Sequence, residues 1–236
     1  NAAVLWVLFF SSTTDYASVV FWLLLCFLLK VPYKELDGFE SPVRLDKAPS
    51  KWDPRSHIVW PFFLIIAAVL DLCAAPGGWT QVVGRTCGPQ TSIIAVDILP
   101  IRSLGKRNIT TIVGDITTDK CKADINRAIQ ESTANSSGEK RNRNEGTVDV
   151  VLHDGAPNIG ASYDKDAYAQ TELAVHALRC ATQHLRHMGS FVTKIYRSKD
   201  SASFQWVVKQ LFREVTTFKP KASRQQSAEI FYICQG

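Results

Sequence analysis

Apolar positions follow two different patterns along the 236-residue chain. From about Ile58 onward, short apolar runs alternate with longer segments whose apolar residues recur at helical spacing. Leu64–Leu70 (L-I-I-A-A-V-L) reads as a buried strand that stops at Asp71; a Pro-Gly-Gly turn follows, then a helix beginning near Thr80. Ser92–Asp97 and Thr110–Val113 read as the next two strands, and Asp119–Glu131 as a helix capped by Thr117 or Thr118. Ser132–Gly146 is poor in apolar residues and reads as a surface loop. Val148–Leu152 is a strand ending at His153-Asp154-Gly155, Asp164–His187 a helix, Gly189–Ile195 a strand and Ser203–Phe212 a helix. Val215–Lys219 and Glu229–Cys234 close the pattern as two strands. Strands alternating with helices predict an α/β fold, Rossmann-like, with a mostly parallel sheet and helices on both faces.

Residues 1–64 do not share this grammar. Val4–Phe10 and Tyr16–Leu29 are apolar runs separated by Ser11–Asp15. A membrane span needs about 20 apolar residues, so each run alone is short; joined, they would make a poor span or a signal-like segment. Residues 30–57 are polar, hold four prolines and read as linker. Two parts are therefore expected: residues 1–64, an atypical hydrophobic segment with a Pro-rich linker, and residues 65–236, one α/β domain.

With 46% apolar residues and 13 glycines the chain can build one sizeable core, which excludes disorder, collagen-like repeats and a disulfide-stapled mini-protein. The net charge of +5, from 27 Lys+Arg against 22 Asp+Glu, suits an anionic partner without requiring one. Cys26, Cys73, Cys87, Cys121, Cys180 and Cys234 are scattered with no C-x-x-C pair, which points to reduced, buried thiols. The five histidines have no ligand spacing, so no metal site is expected. His184 and His187 fall near a helix C-terminus, where imidazolium would complement the dipole, and His153 is expected on the opposite side of its strand from Asp154.

In parallel sheets, ligands bind beyond the carboxyl ends of the strands. Asp71, Asp97 and Asp154 end expected strands, and Asp115 follows another by two residues. One such acid is an ordinary helix cap; four around one crevice suggest a site. Gly77 and Gly78 let backbone approach a ligand closely, and Asp97 lies twenty residues beyond Gly77, a usual offset for an acid that binds ribose hydroxyls. The G-x-G-x-x-G that cradles a pyrophosphate is missing. A glycine turn and a ribose acid without that fingerprint indicate an adenosine cofactor lacking a phosphate chain, such as S-adenosylmethionine.

D-L-C-A-A-P-G-G-W, V-D-I-L-P, G-D-I-T, L-H-D-G-A-P-N, F-V-T-K-I-Y-R-S-K-D and S-A-E-I-F recur in order and resemble the FtsJ (RrmJ-like) RNA ribose 2′-O-methyltransferases. L-H-D-G-A-P-N, K-I-Y-R-S-K-D and K-P-K-A-S-R-Q-Q-S-A-E-I-F are most similar to the nucleolar branch acting on large-subunit ribosomal RNA, and the tRNA branch is less close. The resemblance covers about Val69 to Gly236. It implies methyl transfer from S-adenosylmethionine to a ribose 2′-OH, in pre-rRNA during large-subunit biogenesis, with nucleolar location and pre-ribosomal proteins as neighbours. It further implies that Gly77 and Trp79 contact the methionine end of the cofactor, Asp97 the ribose and Asp115 the adenine, with Asp154 bordering the reactive methyl. Asp154, Lys194 and Glu229 match the last three members of the family's Lys-Asp-Lys-Glu set, Lys194 as general base and the two acids orienting it. A lysine serves as base only when its pKa falls, and carboxylates oppose that fall. No lysine of D-P-R-S-H-I-V-W-P-F-F-L-I-I-A-A matches the first member, and neither Lys47 nor Lys51 sits in a matching motif. Residues 1–64 are accordingly expected to come from a faulty gene model, such as translated intron, rather than to form a membrane anchor. The missing lysine also motivates a rival reading, a catalytically silent cofactor- or RNA-binding scaffold of ribosome assembly; a tRNA methyltransferase is the rival among enzymes. Arg197, Lys199, Lys219, Lys221 and Arg224, with Lys140, Arg141 and Arg143, would meet an RNA backbone. Tyr196 and Tyr163 would stack on an unpaired base, with core or rim packing as the alternative.

Overall fold

The computed structural model describes residues 66–102, 104–136, 147–157, 162–219 and 227–236. The elements in chain order are β1 Ala68–Leu72, α1 Gly78–Thr86, β2 Ser92–Asp97, β3 Ile109–Val113, α2 Asp119–Ser136, β4 Val148–His153, α3 Tyr163–His184, β5 Leu185–Tyr196, α4 Lys199–Leu211, β6 Glu214–Phe218 and β7 Glu229–Gln235. They form a seven-stranded sheet in the order β3-β2-β1-β4-β5-β7-β6. β1 to β5 pair in parallel, and β7 runs antiparallel to both neighbours.

Period-two alternation explains the two cores. On one face Leu70, Leu72, Ile94, Val96, Val151, Phe191 and Ile195 pack with Ile125 of α2, Ala174 and Ala177 of α3, and Phe204 and Val208 of α4. On the other, Val69, Ile93, Val150, Leu152, Val192, Phe231 and Ile233 meet Trp79, Val82 and Val83 of α1. β1 and β4 are buried along their whole length, as strands covered on both faces must be. Chain order runs outward to β2 and β3 from one side of the β1/β4 pair and to β5 from the other, so the topological switch point, where such sheets bind ligands, falls there.

Several boundaries differ from the expectation, each for a physical reason. β1 does not stop at Asp71: the ladders continue through Asp71↔Ala95 and Asp71↔Leu152 to Leu72. It begins only at Ala68, where the buried Asp149 carboxylate accepts from the amides of Ala67 (2.6 Å) and Ala68 (2.8 Å) and pairs with Arg186. α2 continues through Ser136, because a surface helix needs no apolar residues to extend; Ser132 Oγ donates to Ile129 O (3.0 Å). Thr118 Oγ1 accepts from Cys121 N (3.3 Å) at its start. α3 ends at His184 and β5 begins at once, Leu185 taking an extended backbone while its amide still donates to Ala181 O. His187 therefore lies in β5, not in a helix. α4 starts at Lys199, because Ser198 and Ser201 form a reciprocal capping box in R-S-K-D-S.

The hydrophobic segment, the linker and the basic cluster Lys140, Arg141 and Arg143 lie outside the described residues. Among the described residues, no helix is long and apolar enough to cross a membrane.

Candidate active site

Asp97 ends β2, and both of its oxygens are already held: Oδ2 accepts from Ala75 N and Oδ1 from Leu99 N, each at 2.8 Å. The carboxylate thus fastens the end of β2 to the glycine turn that follows β1. In that turn Cys73 is left-handed (φ 58°) and Ala74 N donates to Val96 O at 3.0 Å. Gly77 has φ 108°, and a Cβ there would stand 3.2 Å from Ile101 Cγ2, so both conformation and space call for glycine. Ile98 and Leu99, 64% and 60% exposed, flank Asp97 with apolar surface that periodicity did not single out. Their sequence signal is two large aliphatic residues directly after a strand-terminal acid, where a polar turn is ordinary. The Trp79 ring is buried in the core against Phe231 at a centroid distance of 5.8 Å.

Asp71 is inside β1 rather than at its end, and buried. Thr80 Oγ1 donates to its Oδ2 at 2.6 Å, while Oδ1 has no hydrogen-bond partner. Burial, against the Thr80 hydroxyl and reinforced by Asp154 and Asp97, pushes its pKa from 3.8 to about 7. The folded state therefore holds a proton that the unfolded chain has lost, so stability falls as pH rises from about 4 to about 7. Asp71→Asn should flatten that part of the stability–pH curve, read by denaturant midpoints. A curve with the wild-type slope would place the titrating group elsewhere.

Asp154 follows β4, Lys194 lies in β5 and Glu229 opens β7, where Tyr196↔Glu229 is the end register pair. Lys194 Nζ is 2.9 Å from Asp154 Oδ1, donates to Asp154 O at 2.8 Å and stands 3.9 Å from Glu229 Oε1. Glu229 is in turn held by Ser227, whose Oγ donates to its Oε2 at 3.3 Å. Burial draws the Lys194 pKa down, but Asp154 and then Glu229 outweigh it, leaving the ammonium above its ordinary range. Burial raises Asp154, with Lys194 opposing. The resting pair is an ammonium–carboxylate contact.

Burial pushes the Cys73 thiol up to about 12, and the charges of Asp97, Asp71, Lys194 and Asp115 all act on it. Asp115 itself is exposed; its Oδ1 accepts from Thr117 N (2.9 Å) and Thr117 Oγ1 (2.8 Å), which lowers its pKa. Gly155 has no room for a side chain: a Cβ would stand 2.5 Å from His153 Nε2, 2.8 Å from Cys73 Sγ and 2.9 Å from Leu173 Cδ2. Gly155→Ala should cost about 1–3 kcal/mol by overpacking. An unchanged denaturation midpoint would show that these neighbours yield freely.

His153 is fully buried, shares a hydrogen bond with Thr193 Oγ1 (2.8 Å), and burial lowers its pKa to about 3. His184 does lie in the last turn of α3, but it is buried, and desolvation lowers its pKa. That loss of water works against the imidazolium expected at the helix end. Arg197 and Lys199 are exposed where β5 hands over to α4. Lys219 Nζ donates to Ser227 O (2.8 Å), beside Glu229. Lys221 and Arg224 lie outside the described residues. Tyr196 is 8% exposed and packs in the core, whereas Tyr163 stays at the surface and donates to Arg197 O. Among the described residues, no group of three or more His, Cys, Asp or Glu side chains could hold a metal ion.

The sequence model described as FtsJ-like methyltransferase matches residues 56–236. A pre-rRNA 2′-O-ribose RNA methyltransferase of Dictyostelium discoideum is 47% identical over 169 residues, covering 72% of this chain and 18% of that protein. An AdoMet-dependent rRNA methyltransferase of Neurospora crassa is 47% identical over 167 residues, 71% of this chain and 18% of its own. The chain thus spans less than a fifth of the length of these curated relatives. Among solved structures, a ribosomal RNA methyltransferase of Plasmodium falciparum superposes with a TM-score of 0.57 at 21% identity, over 72% of this chain and 86% of that one, and shares the fold.

Proposed function

The chain belongs to the FtsJ-like methyltransferase family, and from that membership we propose that it transfers a methyl group from S-adenosylmethionine to a ribose 2′-OH of ribosomal RNA. The observation that carries this reading is Lys194 Nζ held by Asp154 and faced by Glu229 at the carboxyl end of the sheet that also carries Asp97 and the glycine turn. The relatives named for pre-rRNA and rRNA support the substrate, and with it nucleolar work on large-subunit precursors among pre-ribosomal proteins. The methyltransferase domain is assigned to residues 65–236.

The residues present suit the cofactor. Asp97 is anchored by two amides and keeps lone pairs for ribose hydroxyls, Ile98 and Leu99 offer exposed apolar surface for a base, and Gly77 lets backbone come close. Asp115, at the β3 exit, is proposed for the adenine amino group. Gly77 and the Trp79 main chain are proposed for the methionine end. S-adenosylmethionine, when bound, supplies an electrophilic methyl on a positively charged sulfur, and that charge is the neighbour that would lower the Lys194 pKa. Asp154 and Glu229 aim Nζ; with the cofactor's charge beside it Lys194 would release its own proton to solvent, accept a hydrogen bond from the 2′-OH that holds it in line, and take that proton as the methyl passes from sulfur to the 2′-oxygen, so that positioning carries most of the acceleration. Arg197 and Lys199, with Lys221 and Arg224, would hold the RNA backbone.

Incubating the protein with methyl-labelled S-adenosylmethionine and either large-subunit pre-rRNA or tRNA tests this directly. Label in pre-rRNA at a nucleotide resistant to alkaline cleavage is the expected result. Label confined to tRNA would move the enzyme to the other branch. Cofactor binding without transfer to either RNA would favour the silent scaffold.

A further inference from the structure

The parallel ladder between β4 and β5 ends at His153↔Thr193; Asp154 follows directly after β4, and Lys194 is the next residue of β5. The crevice can open only where that ladder stops, and stopping it leaves buried main-chain carbonyls to be satisfied. Gln170, in α3, is fully buried, and its Nε2 donates to Gly155 O (3.0 Å) and to Lys194 O (2.8 Å). Both partners are carbonyls, so only the NH2 end of the amide can face them. Its Oε1 is buried without a hydrogen-bond partner, an arrangement that costs free energy and that an apolar side chain would avoid.

We propose that Gln170 is a positioning residue that sets the spacing of Asp154 and Lys194, its amide clamping the carbonyl of Lys194 and the carbonyl of the residue after Asp154 to one helix. Direct strand pairing would satisfy such carbonyls by drawing β4 and β5 together and closing the crevice. A side chain from a third element satisfies both and keeps the strand ends apart. α3 grips the β5 exit a second time through the Tyr163 hydroxyl on Arg197 O, and residues 163 and 170 are two turns apart on one helix face. The helix thus acts as a splint along the strand that carries the lysine. The inference rests on the reading of Asp154 and Lys194 as reacting groups.

Gln170→Met keeps the length of the side chain and removes the donor. Gln170→Glu keeps the shape and presents a donor only when protonated, which provides a second folded variant. The expected result for Met is a cofactor Kd within about twofold of wild type and a kcat lower by on the order of 10²-fold, the cost of a small misplacement at the reacting atoms. The Lys194 titration, followed by the NMR signal of its ε-carbon, should also move toward the ordinary lysine value as Asp154 drifts from it. A merely structural glutamine would lower melting temperature and folded fraction while leaving that titration, and kcat per folded molecule, in place; that result overturns the assignment. The lysine titration needs no turnover. A wild-type protein that fails to methylate RNA would refute the proposed activity and still leave the coupling of Gln170 to Lys194 measurable.

Discussion

Lys194→Ala should lower kcat by roughly 10²–10⁴-fold, the usual worth of a positioned base, and leave the affinity for S-adenosylmethionine within about twofold. The two effects separate because Nζ is bound to Asp154 and faced by Glu229, whereas Asp97 and the glycine turn are fastened to each other without it. Alanine removes the proton acceptor and also leaves the partly exposed Asp154 without its cation, so the Asp154 pKa, already raised by desolvation, should rise further. The wild-type kcat/KM should climb with pH as Lys194 of the free enzyme loses its proton, since its carboxylate neighbours hold it above the ordinary lysine range. The variant should lack that rising limb. Single-turnover methylation across pH, with calorimetry for the cofactor, provides both readings. Normal turnover in the variant would remove Lys194 from the reaction, and an equal loss of cofactor affinity would make it a binding residue instead.

Asp97→Ala should act on the opposite side of the cycle. Hydrogen bonds to a charged group are worth about 1.5–3 kcal/mol, which corresponds to a loss of roughly 10- to 150-fold in cofactor affinity. Part of that loss is indirect, because Ala75 N and Leu99 N both donate to this carboxylate and would lose their acceptor. Asp97→Asn separates the contributions: it keeps one acceptor and the shape of the turn, so it should bind more tightly than the alanine variant and more weakly than wild type. Unchanged affinity in both would take Asp97 out of the ribose position and leave it as the fastening between β2 and the glycine turn.

The chain's alternation of apolar runs and polar turns, together with its ordered motifs, determined the α/β class, the span of β2, the acids at the ends of β2 and β4, and the meeting of Asp154, Lys194 and Glu229. These are legible because turn chemistry and side-chain period act over a few residues, and because the motifs occupy the strand ends where a parallel sheet presents its ligands. Long-range pairing and burial decided the rest. Asp71 belongs to the interior of β1 because Leu152, eighty-one positions away, is its ladder partner. The His184 pKa is pulled down because tertiary packing strips its water, which no helix-end rule anticipates. The ring of Trp79 went to the core because Phe231 lies across from it on the far strand β7. Gln170 reads as one polar residue in a helix until the fold brings the carbonyls of Gly155 and Lys194 to its amide. Local sequence can declare which groups are present and which way a short segment turns; which of them lose their water, and which meet, depends on partners that only the folded chain brings within a hydrogen bond's length.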